Sequence, residues 1–225
     1  MNQYWYLYLI FIPLGLAVTV SPLWRFVKFF ETVFHEFGHA FVGIFLGQKL
    51  HGFKLRLNTS GETVTMSSGY GLRAICTQLA GYPAPVILGV LTLYYGYQGY
   101  GVSTVWFYVI TSAMMAFFIR NLFGFIPLVI VAGISGLALW ADTYGIQGSF
   151  IFTVLVGTML VASGLRSFID LFKYLPEGSD VWMLKDRTYI GQRFWVVIMF
   201  ISALGFIFID IYCINWVHSL ILSYI

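Results

Sequence analysis

The chain has 225 residues, of which 60% are hydrophobic and 9% are charged, with a formal net charge of +3. Soluble domains carry about 25% charged residues, so this composition excludes an ordinary soluble protein and indicates a polytopic membrane protein. The basic residues form no stripe typical of nucleic-acid binding. Two widely separated cysteines, Cys76 and Cys213, support neither a disulfide framework nor a zinc knuckle.

Apolar segments recur along the whole chain, and most are about as long as a bilayer requires. The first lacks a basic start and a small-residue cleavage site, so we expect a retained helix rather than a signal peptide. The fourth and fifth are separated only by Arg120-Asn121 and form either a tight helical hairpin or one broken unit. The segments are 4–20, 26–46, 73–95, 103–119, 121–141, 149–171 and 193–222.

A polar insertion from Gly47 to Leu72 follows the second segment. Residues 51–57 and 62–66 alternate in polarity about the turn Asn58-Thr59-Ser60-Gly61, which is typical of a β-hairpin. It is either a loop with local hairpin order or a strand pair whose free edge holds an extended substrate. The predicted fold is therefore an all-α polytopic membrane protein with about six to seven transmembrane helices and a short β-hairpin insertion after the second.

The basic residues predict the orientation in the membrane. Ten of them follow the second, fourth and sixth segments, whereas the opposite loops hold only Arg25 and Lys28. Because basic loops stay in the cytoplasm, we expect the N-terminus to be cytoplasmic and the C-terminus to be outside.

The second segment contains His35-Glu36-Phe37-Gly38-His39. Histidines four positions apart lie on one helical face and can bind one zinc ion, while the glutamate between them can take a proton from zinc-bound water. Ionisable side chains are costly in lipid and therefore indicate function. We predict a zinc site with His35 and His39 as ligands and Glu36 as the general base. Glu31, one turn earlier, is a candidate to orient the ring of His35.

A third protein ligand is needed if the zinc is to keep one open position for water. Asp170 lies four residues after Arg166, where an ion pair is expected, and Asp180 lies in a stretch interrupted by Pro176 and Gly178. The residues alone do not decide between Asp170 and Asp180 as the third ligand. The other aspartates are at segment ends or between basic residues, namely Asp142, Asp186 and Asp210.

The motif at 35–39, followed by Ala40 and by Leu46-Gly47, resembles the site-2-protease-like intramembrane zinc metalloproteases, most closely a small bacterial subgroup. The stretch Leu79-Ala80-Gly81-Tyr82-Pro83 is similar to that family's Ala-Gly-Pro run, with Tyr82 inserted and the family's nearby asparagine missing. The stretch from Leu175-Pro176 to Asp180 resembles the late Leu-Pro and Asp-Gly element, with Val181 in place of the glycine. The resemblance implies that Asp180 is the third ligand.

The resemblance also implies an architecture, a setting and a substrate. We expect one membrane-embedded domain over 1–225, with a first helix and outer loop at 1–25 and a C-terminal helix at 191–225. Between them, 26–190 forms a protease-like core with a cytoplasmic hairpin at 48–70. We expect an integral protein of the bacterial plasma membrane that binds one zinc ion per chain, lies among membrane lipids and cleaves a transmembrane protein substrate.

Two other functional classes compete with the protease. An inactive scaffold or metal-binding protein of the same fold is suggested by Val181 and the missing asparagine. A transporter has less support, because few charged residues lie near mid-bilayer beyond the zinc candidates and no pair of interrupted helices recurs in the two halves.

Overall fold

The computed structural model describes residues 6–55, 61–66 and 71–223, and helices make up most of them. Six of the seven predicted apolar segments each contain one helix whose ends lie within a few residues of those expected, and the third contains two. The elements are α1 (Tyr6–Val20), α2 (Trp24–Phe45), β1 (Lys49–Leu55), β2 (Gly61–Met66), α3 (Leu72–Leu79), α4 (Pro83–Tyr97), α5 (Gly101–Phe118), α6 (Leu122–Asp142), α7 (Gly148–Tyr174), α8 (Asp180–Thr188) and α9 (Gln192–Ser223).

The third apolar segment is broken into α3 and α4, which are bent by 55° relative to each other. Residues 80–82 form the break, and α4 begins at Pro83. Proline has no N–H to donate to the preceding turn, so the helical hydrogen bonding is interrupted here. The bend brings the break itself against α2, where Ala80 and Ala84 lie beside Gly38.

The fourth and fifth segments are two separate helices, α5 and α6, so the open alternative is decided in favour of a hairpin. Ile119 and Asn121 between them have extended backbones. Tyr108 on α5 packs in one cluster with Ala138, and Met115 packs in another with Leu128. The two helices are therefore antiparallel.

Four of the described helices are long and apolar enough to cross a membrane, or five if α3 and α4 are counted as one broken span. The four are α5, α6, α7 and the part of α9 up to Ile209. The expected six or seven spans are not confirmed within the described residues. The helix α2 is not counted as a span because its 22 residues include four charged ones, Arg25, Lys28, Glu31 and Glu36. The described α1 has 15 residues, fewer than a bilayer requires.

Glycines let α7 pack closely against two other helices. A Cβ placed on Gly89 of α4 would lie 2.7 Å from the carbonyl oxygen of Gly157 on α7. On α1, a Cβ at Gly15 would lie 2.8 Å from Cγ2 of Thr158. Small residues allow such close approach of helix backbones in membranes.

The strands β1 and β2 pair antiparallel, with Phe53 opposite Thr63. They begin two residues before the predicted 51–57 and one residue before the predicted 62–66. The predicted turn at Asn58-Thr59-Ser60 lies outside the described residues. On its other side β1 contacts the α5–α6 junction, since the N–H of Arg120 donates to the Phe53 carbonyl at 3.0 Å. The Arg120 guanidinium also donates to the His51 carbonyl, at 2.9 Å from Nε and 2.7 Å from Nη2. The strand pair is thus anchored to the bundle.

Candidate metal centre

The helical spacing of α2 brings the imidazoles of His35 and His39 together on one face. Their Nε2 atoms are 3.2 Å apart, and their ring centroids are 4.8 Å apart. This part of α2 is buried on most sides, from Glu31 to Ala40, because the helix packs against α3, α4 and α7. The two predicted zinc ligands are therefore held close together within the protein.

Asp180 reaches the same place from a distant part of the chain. After α7 the chain turns through Leu175 and Gly178, both with positive φ (41° and 75°), and α8 begins at Asp180. Left-handed residues of this kind end a helix and reverse the chain. Oδ2 of Asp180 lies 3.1 Å from Nε2 of His35 and 3.2 Å from Nε2 of His39.

The three atoms form a nearly equilateral triangle that fits a zinc ion. Atoms bound to one tetrahedral zinc at about 2.0–2.1 Å lie about 3.3 Å apart, and the edges here are 3.1–3.2 Å. Oδ2 of Asp180 is buried and makes no hydrogen bond. When both rings are neutral and turn their Nε2 lone pairs toward it, this buried carboxylate oxygen has no donor, which is costly, and a cation would compensate it. Among the described residues, His35, His39 and Asp180 are the group that could hold a metal.

Residues of α3 make hydrogen bonds to the side chains of His39 and Asp180 at atoms that lie outside the triangle. Nδ1 of His39 lies 2.7 Å from the carbonyl oxygen of Thr77. A carbonyl only accepts, so Nδ1 carries the proton, and whenever the ring is neutral its Nε2 lone pair faces the triangle. The amide of Gln78 donates to Oδ1 of Asp180. Neither Thr77 nor Gln78 was identified as a site residue from the sequence. The one feature of the sequence that points to them is their position directly before Leu79-Ala80-Gly81.

Two glycines make room for the site. A Cβ on Gly81 would lie 2.6 Å from Cε1 of His39 and 2.7 Å from Cε1 of His35. A Cβ on Gly38 would lie 2.6 Å from the carbonyl oxygen of Ala80. These positions let α2 approach the α3–α4 break closely.

A family model described as Peptidase M50B-like matches residues 8–210. The chain belongs to this family. It is therefore a site-2-protease-like protein, and together with the apolar helices the match makes it an integral membrane protein of a metallopeptidase family. No curated protein and no solved structure matches the chain. M50 peptidases are typically zinc-dependent, which agrees with the donor set of the triangle.

At two positions where this M50B-like chain differs from the family pattern, the side chain is packed inside the protein. Val181, in place of the glycine, is fully buried in a cluster with Phe168 and Leu184. Tyr82, inserted before Pro83, places its ring edge-on to His35 with centroids 4.7 Å apart. Both side chains fill space beside the site.

The two glutamates of α2 are buried beside the triangle. Glu36 is 3% exposed and directly follows His35, close enough to interact electrostatically with both imidazoles. Glu31 is also 3% exposed, one turn earlier on the helix. The hydrogen bonds described for His35 do not include Glu31, so its orienting role stays a prediction.

Asp170, the alternative third ligand of the M50B-like site, lies elsewhere. Its Oδ2 is 4.0 Å from Nζ of Lys28. The predicted ion pair between Asp170 and Arg166 is wrong, because the Arg166 guanidinium lies 4.3 Å from the ring centroid of Trp24 and donates to the carbonyl of Thr19.

The remaining aspartates also lie apart from the triangle or beyond what can be described. Asp142 accepts hydrogen bonds from the N–H and hydroxyl of Ser149. Asp186 is exposed on α8, and the side chain of Asp210 is outside the described part of the chain. The side chains thus brought together are His35, His39 and Asp180.

Proposed function

We propose that the protein is an intramembrane zinc endopeptidase that hydrolyses peptide bonds of membrane-spanning proteins. The single observation that carries this proposal is the triangle of His35 Nε2, His39 Nε2 and Asp180 Oδ2 beside the buried Glu36. Family membership supports the metallopeptidase class.

In this proposal His35, His39 and Asp180 hold one zinc ion. When bound, zinc supplies Lewis acidity that polarises a peptide carbonyl and makes water more acidic. Glu36 accepts a proton from the attacking water and later delivers it to the leaving amine. Thr77 fixes the proton of His39 on Nδ1, so that Nε2 remains free to ligate.

Metal content of purified protein in detergent tests the ligand set. We expect about one zinc per chain, lost in His39→Ala and in Asp180→Ala, since each removes one of three protein ligands. Asp170→Ala serves as the control and should keep the metal, because Asp170 pairs with Lys28. Full zinc occupancy in both Asp180→Ala and His39→Ala would rule out the site.

Cleavage of a helical single-span substrate in liposomes tests the role of Glu36. We expect Glu36→Gln to keep zinc and to lower the cleavage rate by about 10²–10⁴-fold, the usual contribution of a general base. Asp186→Asn, a change at an exposed carboxylate of α8, should leave the rate unchanged. A Glu36→Gln variant that cleaves as fast as the natural chain would exclude this mechanism.

The alternative is a catalytically inactive scaffold or metal-binding protein with the same fold. The family's missing asparagine and the valine at 181 favour it. It predicts no cleavage of the membrane-spanning substrate, with zinc bound by a metal-binding protein and no zinc bound by a metal-free scaffold, so the two measurements together separate the hypotheses.

A further inference from the structure

The two oxygens of the Asp180 carboxylate have different surroundings. Oδ2 faces His35 and His39 and makes no hydrogen bond, whereas Oδ1 accepts a hydrogen bond from Nε2 of Gln78. A carboxylate held by one oxygen in this way presents the other in a fixed direction. Partners of this kind orient metal ligands.

The orientation of the Gln78 amide is itself determined by a neighbour. Nη1 of Arg187 lies 3.3 Å from Oε1 of Gln78. A guanidinium can only donate hydrogen bonds, so the amide oxygen must face Arg187 and the amide NH₂ must face Asp180. The three side chains form one directed chain, from Arg187 through Gln78 to Asp180.

The fold places this chain between two short helices. Asp180 and Arg187 are at opposite ends of α8, seven residues or about two turns apart, and therefore share a face. Gln78 on α3 bridges them, and Nη1 of Arg187 also lies 3.5 Å from the carbonyl of Ala74, one turn earlier on α3. Residues of α3 thus contact His39 through Thr77 and Asp180 through Gln78.

We propose that Gln78 is a positioning residue for the third zinc ligand and that Arg187 acts through it. This inference rests on the proposed zinc site. Gln78 holds Oδ1 of Asp180 so that Oδ2 completes the triangle with the two imidazoles, and Arg187 keeps the amide from flipping. Loss of such an outer partner typically lowers metal affinity by about 10–100-fold.

The first test is zinc affinity, measured by competition with a chromophoric chelator on detergent-purified protein. We expect Gln78→Leu, which removes the amide donor and the amide acceptor at similar size, to weaken zinc binding by about 10–100-fold. Gln98→Leu is the matched control, because Gln98 caps α4 and bonds to Tyr94. It should bind zinc as the natural chain does.

The second test is non-additivity, which separates an indirect role of Arg187 from an independent one. Arg187→Met should weaken zinc binding in the natural background. When Gln78 is already leucine, it should weaken zinc binding by less than a further twofold. Arg187→Lys, which retains a donor, should recover part of the affinity. Arg193→Met, at an exposed arginine of α9, is the control.

A spectroscopic measurement distinguishes positioning from general stability. In cobalt-substituted protein, Gln78→Leu should change the visible Co²⁺ absorption, since the carboxylate is no longer held in one direction. The unfolding temperature of the metal-free protein should change little. Weaker zinc binding with an unchanged cobalt spectrum and a matching loss of metal-free stability would overturn the positioning role.

The outcomes also separate this inference from the proposed function. If Gln78→Leu binds zinc within twofold of the natural chain while Asp180→Ala does not bind it, the positioning role is wrong and the zinc site stands. If Asp180→Ala and His39→Ala bind zinc like the natural chain, the site fails and the inference fails with it.

Discussion

At the scale of single residues, Gly81 leaves space for the imidazoles of His35 and His39 because it has no side chain. It lies in the break between α3 and α4, and any Cβ there would lie within 2.7 Å of ring atoms of His35 and His39. The Ala-Gly pair at 80–81 belongs to the stretch of sequence that resembles a family motif. Its steric reason emerges only when α2 is packed against the break.

Gly81→Ala should therefore displace at least one imidazole from the triangle. We expect zinc affinity, measured by chelator competition, to fall by at least tenfold, because one ligand loses its position. Gly133→Ala is the matched control, since a Cβ at Gly133 of α6 meets nothing within 4 Å. Unchanged affinity in Gly81→Ala would show that the rings can shift without leaving the metal.

Val181 and Tyr82 are also explained at this scale. A sequence comparison treats them as departures that weaken a motif, whereas the packed structure gives each a place. Val181 is 0% exposed among the side chains of α7, α8 and α9, and Tyr82 covers the ring of His35. A glycine at 181 would leave a cavity in that cluster, which is costly in a close-packed interior.

At the scale of elements, β1 is a strand with neighbours on both sides. It pairs with β2 along one edge, and Ile119 and Arg120 contact the other. Phe53 is 1% exposed and fixes this docking in a cluster with Val33 and Met115. If the strand pair adds a substrate strand, the edge that pairs with no further strand within the described residues is that of β2, which also contacts α2.

Arg120→Met should loosen β1 from the bundle. The guanidinium donates twice to the His51 carbonyl at an exposed position, so about 1 kcal/mol is expected to be lost. Amide hydrogen exchange across residues 50–55 should then be roughly fivefold faster. Arg73→Met, at an exposed arginine of α3, should leave this exchange unchanged. Equal exchange in the two variants would mean that Phe53 alone anchors the strand.

At the scale of the whole molecule, the contacts revise the predicted distribution of charge. Lys28 pairs with Asp170, and Arg166 stacks on Trp24, so the beginning of α2 lies level with the end of α7. The prediction that Lys28 and Arg166 belong to opposite sides does not fit these contacts. Lys28 therefore lies on the same face of the molecule as Arg166.

The path of α1 follows from the same observations. Gly15 lies beside Thr158 and Thr19 beside Arg166, so α1 and α7 run parallel. If the face that holds Lys28 and Arg166 is cytoplasmic, α1 then begins on the outer side, contrary to the orientation expected for the N-terminus. The absolute orientation stays a prediction.

Single cysteines labelled with a membrane-impermeant maleimide test this arrangement. In a background with Cys76 and Cys213 replaced by serine, Lys28→Cys and Lys173→Cys should be labelled from the same side. Thr143→Cys should be labelled from the other side, because Thr143 precedes α7 and its 27 residues span about 40 Å. Labelling of Lys28→Cys together with Thr143→Cys would contradict the contacts.

The sequence by itself determined the helical segments, the strand pair and the facing histidines. These depend on residues within a few positions of one another, whose periodicity fixes which face each side chain occupies. The choice of Asp180 over Asp170 came from a family resemblance and not from local periodicity. Only the tertiary structure gave the distances from Asp180 to the imidazoles, placed Thr77 and Gln78 in contact with the candidate ligands and paired Lys28 with Asp170. Contacts between distant segments depend on the path of the whole chain, and no local pattern encodes that path.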